Sequence, residues 1–94
     1  MKSIKEVKNK ILPILKKNGV VQAGIFGSVA RKENTSKSDV DILIEFQKGK
    51  SFFDLVSLER ELRIKLVTKV DVLTYDSINH LLKKQILAEE VKIL

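Results

Sequence analysis

The sequence predicts one small, layered α/β domain, and two observations predict it. Segments with the apolar period of a helix alternate with short runs of β-branched and apolar residues, in the order α-β-α-β-α-β-α. The chain has 94 residues, 44% of them hydrophobic, which is enough for one core. No repeat or Pro/Gly-rich linker divides it, so we expect a single domain over residues 1–94, with a sheet of about three or four strands.

The N-terminal part should contain a helix, a strand and a short second helix. Residues 3–17 carry apolar side chains at helical spacing with lysines on the other face. Pro13 is expected to kink or interrupt this helix, and the Asn-Gly pair that follows should end it. Residues 20–26 are β-branched and apolar and should form a buried strand. The next segment, GSVARKE, can form a helical turn or two.

After a polar loop at 34–38, residues 39–46 alternate cleanly and predict a strand. One face would carry Val40, Ile42, Ile44 and Phe46, and the other Asp39, Asp41, Leu43 and Glu45. Ser51 and Asp54 resemble a capping box, so a helix should begin there and run to about Leu66. Its inner stripe is expected at Phe52/Phe53, Leu55/Val56, Leu58/Glu59 and Leu62.

The C-terminal part should contain a short strand and one or two closing helices. The strand is expected at 69–74 and the helices within 76–92. The residues expected to face inward are Ile78, Leu81/Leu82, Ile86 and Val91. The apolar pair Ile93-Leu94 and several leucines are expected to be buried against a second copy or a partner, so an oligomer is plausible.

Composition excludes several classes of site. There is no cysteine and one histidine, which excludes disulfide scaffolds, thiolate zinc sites and most His-based triads. No apolar run is long enough for a membrane span, and the start lacks a signal peptide, so we expect a cytoplasmic protein. The formal charge of +6 suits a phosphate-bearing ligand. Scattered lysines without interleaved aromatic residues make nucleic acid an improbable partner.

Three carboxylates lie where apolar strands would not be expected to carry them. Asp39 and Asp41 are two apart on a strand and share a face, and Asp71 lies between two valines in another short strand. If these strands pair, the three acids meet at one end of the sheet. Their mutual repulsion would then favour a hard divalent cation such as Mg²⁺, bound by oxygen ligands and by substrate phosphates. Two such ions could clamp a phosphoryl transfer.

Simpler explanations exist for each acid. Asp39 could be a turn residue, Asp41 could form a buried ion pair with Arg31 or Lys69, and Asp71 could pair with Lys69. Taken together, three acids on two apolar strands favour a metal site. Gly27 and Ser28 follow the first strand, where a glycine allows a phosphate close to the backbone. The segment is neither the Walker loop nor the dinucleotide turn.

The segment GSVARKENTSKSDVD places Gly27-Ser28 ten residues before Asp39-Val40-Asp41. This resembles the G-S-x10-D-x-D signature of the DNA polymerase β-like nucleotidyltransferase superfamily. The wider FGSVAR, SDVDILIEF, KVDVLT and KKQILAEEVKIL segments resemble its minimal nucleotidyltransferase branch. The resemblance implies the polymerase β-like fold, a small mixed sheet flanked by helices.

The resemblance also implies roles for individual residues. Gly27 and Ser28 would hold the triphosphate of ATP, and Arg31 would contact phosphate. Asp39, Asp41 and Asp71 would bind two Mg²⁺ ions, with Asp71 also activating the incoming hydroxyl. Lys32 departs from the small residue that is common in the family after this arginine, which concerns the local shape of the loop.

The activity implied is transfer of a nucleoside monophosphate, AMP from ATP, to a hydroxyl acceptor. Members of this branch are frequently antitoxins paired with a HEPN-domain toxin, which some of them adenylylate on tyrosine. A HEPN-domain protein is therefore the expected partner. The alternative is an antitoxin or partner-binding subunit without catalysis, which masks its partner by contact. A nucleic-acid binder is a third, weaker hypothesis.

Overall fold

The computed structural model describes residues 3–32 and 39–94. Four helices are α1 (Ile4–Lys17), α2 (Gly27–Ala30), α3 (Phe52–Leu66) and α4 (His80–Glu89), and four strands are β1 (Val20–Phe26), β2 (Val40–Phe46), β3 (Val70–Thr74) and β4 (Val91–Lys92). A 3₁₀ turn at Tyr75–Ser77 links β3 to α4. The predicted loop at 34–38 lies outside the described residues.

The strands form one mixed sheet in the order β3-β2-β1-β4. β2 and β3 are parallel, while β1 is antiparallel to both β2 and β4. Because side chains alternate along each strand, the register gives the sheet two distinct faces. The core face carries Ala23, Ile25, Ile42, Ile44, Val70, Val72 and Ile93, and the site face carries Gly24, Phe26, Asp41, Leu43, Glu45, Asp71 and Leu73.

Helices α1 and α3 cover the core face. Val7, Ile11 and Leu15 of α1 and Leu58 and Leu62 of α3 join the buried strand residues in one apolar cluster. Within each helix the successive buried residues are four positions apart, so they lie on one side of that helix. This packing confirms the predicted α/β class. Neither α1 nor α3 covers the opposite face of the sheet, the site face.

Helix α1 runs without interruption through Pro13, so the predicted interruption is wrong. Proline lacks the N–H that would bond to the carbonyl four residues earlier. Pro13 is exposed, and water can satisfy that carbonyl. The helix ends as predicted at Asn18, whose side chain donates to the carbonyl of Ile14 at 2.8 Å.

Helix α3 begins with the predicted capping box of Ser51 and Asp54, but its inner stripe is narrower than predicted. Phe52 and Phe53 are 72% and 83% exposed, and Val56 is exposed too. At 3.6 residues per turn, Phe53 and Val56 lie roughly 140° and 160° around the helix from Leu58. The true inner stripe is centred on Leu58 and Leu62, with Leu55 partly buried.

The closing segment differs most from the prediction. Leu81 and Leu82 are exposed, and α4 has no buried residue at all. Val91 lies in β4, a strand at the position where the end of a helix was predicted. Two strand residues are too few to show a period of two, which is why the pattern missed them. No helix in the described part of the chain is long and apolar enough to cross a membrane.

The last two residues continue the pairing of β4 with β1. Ile93 and Leu94 both donate their N–H groups to the carbonyl of Ala23, at 3.0 and 3.2 Å. Ile93 is buried in the core, and Leu94 packs against it. The expectation that this pair is buried against a second copy or a partner is therefore wrong, because the chain's own sheet covers it.

Candidate active site

Asp41 and Asp71 are direct register partners on the parallel strands β2 and β3. Their side chains therefore project side by side from the site face. Asp71 raises the pKa of Asp41 through its negative charge and, to a smaller extent, through a hydrogen bond between the two side chains. The predicted meeting of acids on neighbouring strands is thus present for this pair.

Asp41 has a pKa raised from 3.8 to about 6. Burial is the largest cause, followed by the negative charges of Asp71 and then Asp39. The positive charge of Arg31 acts in the opposite direction. These influences place Asp39, Asp71 and Arg31 around a single half-buried carboxylate, a concentration of negative charge that favours a cationic ligand.

Asp39 lies just before β2, and its side chain is 44% exposed. Its carboxylate forms an ion pair with the ammonium of Lys69 at 3.8 Å. In the sequence, Lys69 was the expected partner of Asp71 or Asp41. The described ion pair is with Asp39, at the point where β2 and β3 begin.

Gly27 begins α2 directly behind the Asp41 carboxylate. Its φ is +73°, a conformation that L side chains rarely adopt. A Cβ at this position would approach Asp41 Oδ2 to well under 3.0 Å. Glycine is therefore required for two reasons, and it brings the backbone of the Gly27-Ser28 turn against the acid. Ser28 is half-buried in the same turn.

Arg31 ends α2 and links the acids to α4. Its Nη1 donates to Glu89 Oε2 at 3.0 Å, and its charge lowers the pKa of Asp41. The structure therefore brings Arg31 to the same site as the acids. Glu89 was not predicted, because it is 58 residues away in sequence and no motif includes it.

The acids suit a hard cation by chemistry, since carboxylate oxygens are the ligands that Mg²⁺ prefers. The pair of Asp41 and Asp71 supplies two adjacent carboxyl groups, and Asp39 stands beside them. Within residues 3–32 and 39–94, no three His, Cys, Asp or Glu side chains are already spaced to hold an ion. The donor set thus fits a divalent ion in its composition, with a paired core of two acids.

A second polar cluster lies farther along the site face. The hydroxyl of Tyr75 donates to Glu90, and the Glu90 side chain occupies the space where Gly24 has no Cβ. Burial, then Glu90 and Glu45, raise the pKa of Tyr75. The ammonium of Lys92 lies 6.0 Å from the tyrosine ring centre. This cluster fastens the end of α4 to the sheet.

Comparison with known proteins agrees with this geometry. The family model described as polymerase beta, nucleotidyltransferase matches residues 9–94. The chain belongs to the polymerase β nucleotidyltransferase family. It is 56% identical over 92 residues to a Methanocaldococcus jannaschii protein provisionally named a protein adenylyltransferase, and this match covers 98% of the chain and 99% of the relative.

Another relative within this nucleotidyltransferase family is the protein adenylyltransferase MntA of Thermococcus cleftensis, 36% identical over 75 residues and covering 80% of the chain and 76% of the relative. A structure provisionally described as a minimal nucleotidyltransferase superposes with a TM-score of 0.80 at 30% identity, covering 94% and 90% of the two chains. The protein is therefore an enzyme of the nucleotidyltransferase class with the minimal nucleotidyltransferase fold.

The same fold occurs in a complex from Shewanella oneidensis, described as a tri-AMPylated HEPN toxin with an MNT antitoxin. The TM-score is 0.75 at 21% identity, and the match covers 96% of this chain and 71% of that one. At this level of identity the likeness shows a shared fold.

Proposed function

We propose that this protein transfers AMP from ATP to a hydroxyl group of a HEPN-domain toxin, and that it thereby acts as the antitoxin. The observation that carries the proposal is the in-register pair of Asp41 and Asp71 against the Gly27 turn. Adjacent carboxylates can bind a divalent cation, and the glycine turn lets the phosphate that binds this cation come close to the backbone.

Asp39, Asp41 and Asp71 would hold the divalent ions, two Mg²⁺ in this proposal. When bound, such ions neutralise the triphosphate and polarise the α-phosphorus. The raised pKa of Asp41 supports this role, since burial and then the negative charges of Asp71 and Asp39 make its charged form unfavourable without a cation. Metal dependence is part of the proposal and is tested below.

The Gly27-Ser28 turn and Arg31 would hold the triphosphate. Glycine lets the phosphate oxygens approach the backbone, and the Ser28 hydroxyl can donate to them. Arg31 already lies near Asp41, and its planar guanidinium suits phosphate oxygens. These residues would place the α-phosphorus in front of the acids.

The reaction would be an in-line displacement. The acceptor oxygen forms a bond to the α-phosphorus as the bond to the bridging oxygen of pyrophosphate breaks, and pyrophosphate leaves with that electron pair. The acceptor proton passes to the Asp71 carboxylate. The protein contributes mainly position and charge stabilisation. An Asp71→Asn variant that binds ATP normally and has lost turnover would support this role for Asp71, whereas unchanged turnover would reject it.

The identity of the partner rests on relatives. The relatives named as protein adenylyltransferases support a protein acceptor. The fold shared with an MNT antitoxin supports a HEPN toxin as that acceptor.

The test is label transfer from α-labelled ATP with Mg²⁺ to the product of the neighbouring gene, which we expect to be a HEPN-domain protein. We expect labelled partner with the wild type, no label after chelation by EDTA, and no label with Asp39→Asn/Asp41→Asn. The matched control is Glu45→Gln/Asp76→Asn, which removes two exposed carboxylates outside the site and should label normally.

The same double variant separates the two candidate mechanisms. If Asp39→Asn/Asp41→Asn still neutralises the toxin in cells, contact alone is sufficient and the catalytic antitoxin proposal is wrong. Loss of neutralisation together with loss of label supports transfer of AMP as the antitoxin mechanism.

A further inference from the structure

A groove lies on the core-face side of the molecule, between the first turns of α1 and strand β4. Its cavity volume is about 760 Å³. The floor is apolar and is formed by Ile4, Val29, Val91 and Ile93. Lysines stand around it, and none of the described residues that line it is acidic. The groove is separate from the face that carries Asp41 and Asp71.

Three lysines, Lys5, Lys8 and Lys32, give the groove its positive rim. The fourth lining lysine, Lys92, directs its ammonium to the Tyr75 ring on the site face, so we leave it out of the rim. The groove therefore combines an apolar floor with about three positive charges, a pattern that complements an acidic amphipathic surface.

The position of Lys5 opposes the stability of its own helix. Ser3 caps α1 through the N–H of Glu6, so Lys5 lies in the first turn. Cations are unfavourable there because the N-terminal end of a helix carries partial positive charge. The charge of Lys5 is thus unfavourable for the helix dipole, and it is placed where a negatively charged ligand in the groove would offset it.

The groove also adjoins the candidate active site through α2. This helix begins with the Gly27-Ser28 turn beside Asp41, while Val29 and Lys32, at and just beyond its end, line the groove. A protein held in the groove would thus be held next to the element that carries the phosphate-binding turn.

We infer that the groove between α1 and β4 docks an acidic, amphipathic segment of the acceptor protein. A protein segment fits better than nucleic acid, since the floor offers aliphatic side chains and no aromatic ring for base stacking. The inference rests on the proposed function, because it gives the protein acceptor its docking surface.

The test uses Lys5→Glu/Lys8→Glu in the full chain, with Lys10→Glu/Lys16→Glu as the matched control. The control makes the same charge change on exposed positions of the same helix, outside the groove. Because Lys16 lies in the last turn, where a cation is favourable, we expect a lower thermal midpoint for the control. Complex formation with the HEPN-domain protein and label transfer to it are both measured, together with ATP binding and the thermal midpoint.

We expect the groove variant to raise the Kd for the acceptor protein, and the KM in label transfer, at least about tenfold. ATP binding and kcat at saturating acceptor should be unchanged, and the control should remain within about twofold of the wild type. The groove variant should also keep or raise the thermal midpoint, since a glutamate in the first turn suits the helix. If it does not fold, Lys5→Gln/Lys8→Gln replaces it, with a smaller increase in Kd.

The outcomes separate this inference from the proposed function. Normal labelling and normal Kd in the groove variant would overturn the inference and leave the transferase intact. A complex that depends on Lys5 and Lys8 without label transfer would support the groove and overturn the proposed AMP transfer. If the wild type neither binds nor labels the acceptor, both fall.

Discussion

The two faces of the sheet differ in almost every physical property. The core face is apolar and is sealed by α1 and α3, whose buried leucines and isoleucines interlock with the strands. The site face carries Asp41 and Asp71, and the helix that contacts it, α4, has no buried residue. Stability is thus concentrated on one face, which leaves the other free to hold charges that a core would exclude.

The largest expected effect would show this asymmetry directly. Leu58→Ala removes a fully buried side chain from the core face and should lower the free energy of unfolding by about 3 kcal/mol. Leu81→Ala on α4, a residue that is 77% exposed, should change it by less than about 0.5 kcal/mol. Urea unfolding of both variants checks this, and equal losses would show that α4 is as firmly packed as α3.

The second effect concerns the turn behind the acids. Gly27→Ala places a Cβ at φ +73° and against Asp41 Oδ2. We expect a loss of about 1 to 2 kcal/mol in unfolding free energy from backbone strain alone. Label transfer should fall further than stability predicts, because the Asp41 carboxylate must move. Gly49→Ala is the control: it has a similar strained φ but open space around it, and it should leave label transfer unchanged.

A third effect is the cost of keeping Asp41 charged. Its folded pKa of about 6 lies above the usual value of 3.8, so the folded state holds the proton more tightly than the unfolded state. The stabilisation that comes from this tighter proton binding is complete below about pH 3.8. It is lost as the pH rises through 6.

Asp41→Asn should therefore be more stable than the wild type at pH 7.5, by about 1 kcal/mol after allowance for partial exposure. The difference between the two should shrink as the pH falls from 7 to 4. Denaturant unfolding across this range measures it. An Asp41→Asn variant that is less stable at pH 7.5 would contradict the assignment, and Asp76→Asn provides an exposed control.

The smallest effect concerns the hydrogen bond that attaches the C-terminal end of α4 to the sheet. Tyr75→Phe removes the hydroxyl that donates to Glu90 and should cost about 1 kcal/mol. Because the rest of α4 is so lightly packed, hydrogen exchange should quicken in α4 and β4 more than in α1 or α3. Uniform quickening throughout the chain would mean that α4 unfolds only with the whole domain.

The sequence predicted the core-face elements well, for a physical reason. In α1, β1 and β2 a regular apolar period reports burial against one layer, and the bounds agree closely with the structure. In α3 the period alone did not separate Leu58 from Phe52 and Phe53, because apolar side chains lie on both sides of this helix. In α4 the leucines that suggested an inner stripe are exposed.

The positions of the acids in the site could be predicted, because they follow from strand geometry. The contacts between side chains that are distant in sequence could not be predicted. The shared face of Asp41 and Asp71 follows from alternation and from the parallel pairing of β2 and β3. The contacts of Arg31 with Glu89 and of Glu90 with Tyr75 join residues on separate elements, and no local pattern specifies them. The roles of the acids remain predictions.

The register between β2 and β3 determines which side chains of the two strands lie next to each other at the candidate active site. Asp41 and Asp71 face each other only because the ladder aligns five consecutive residue pairs, from Val40 with Val70 to Ile44 with Thr74. A slip by one position would turn Asp71 toward the hydrophobic interior and bring a valine into its place. The β2–β3 register, and not the surface of the α3 crossover that connects the two strands, therefore determines whether the two acids meet.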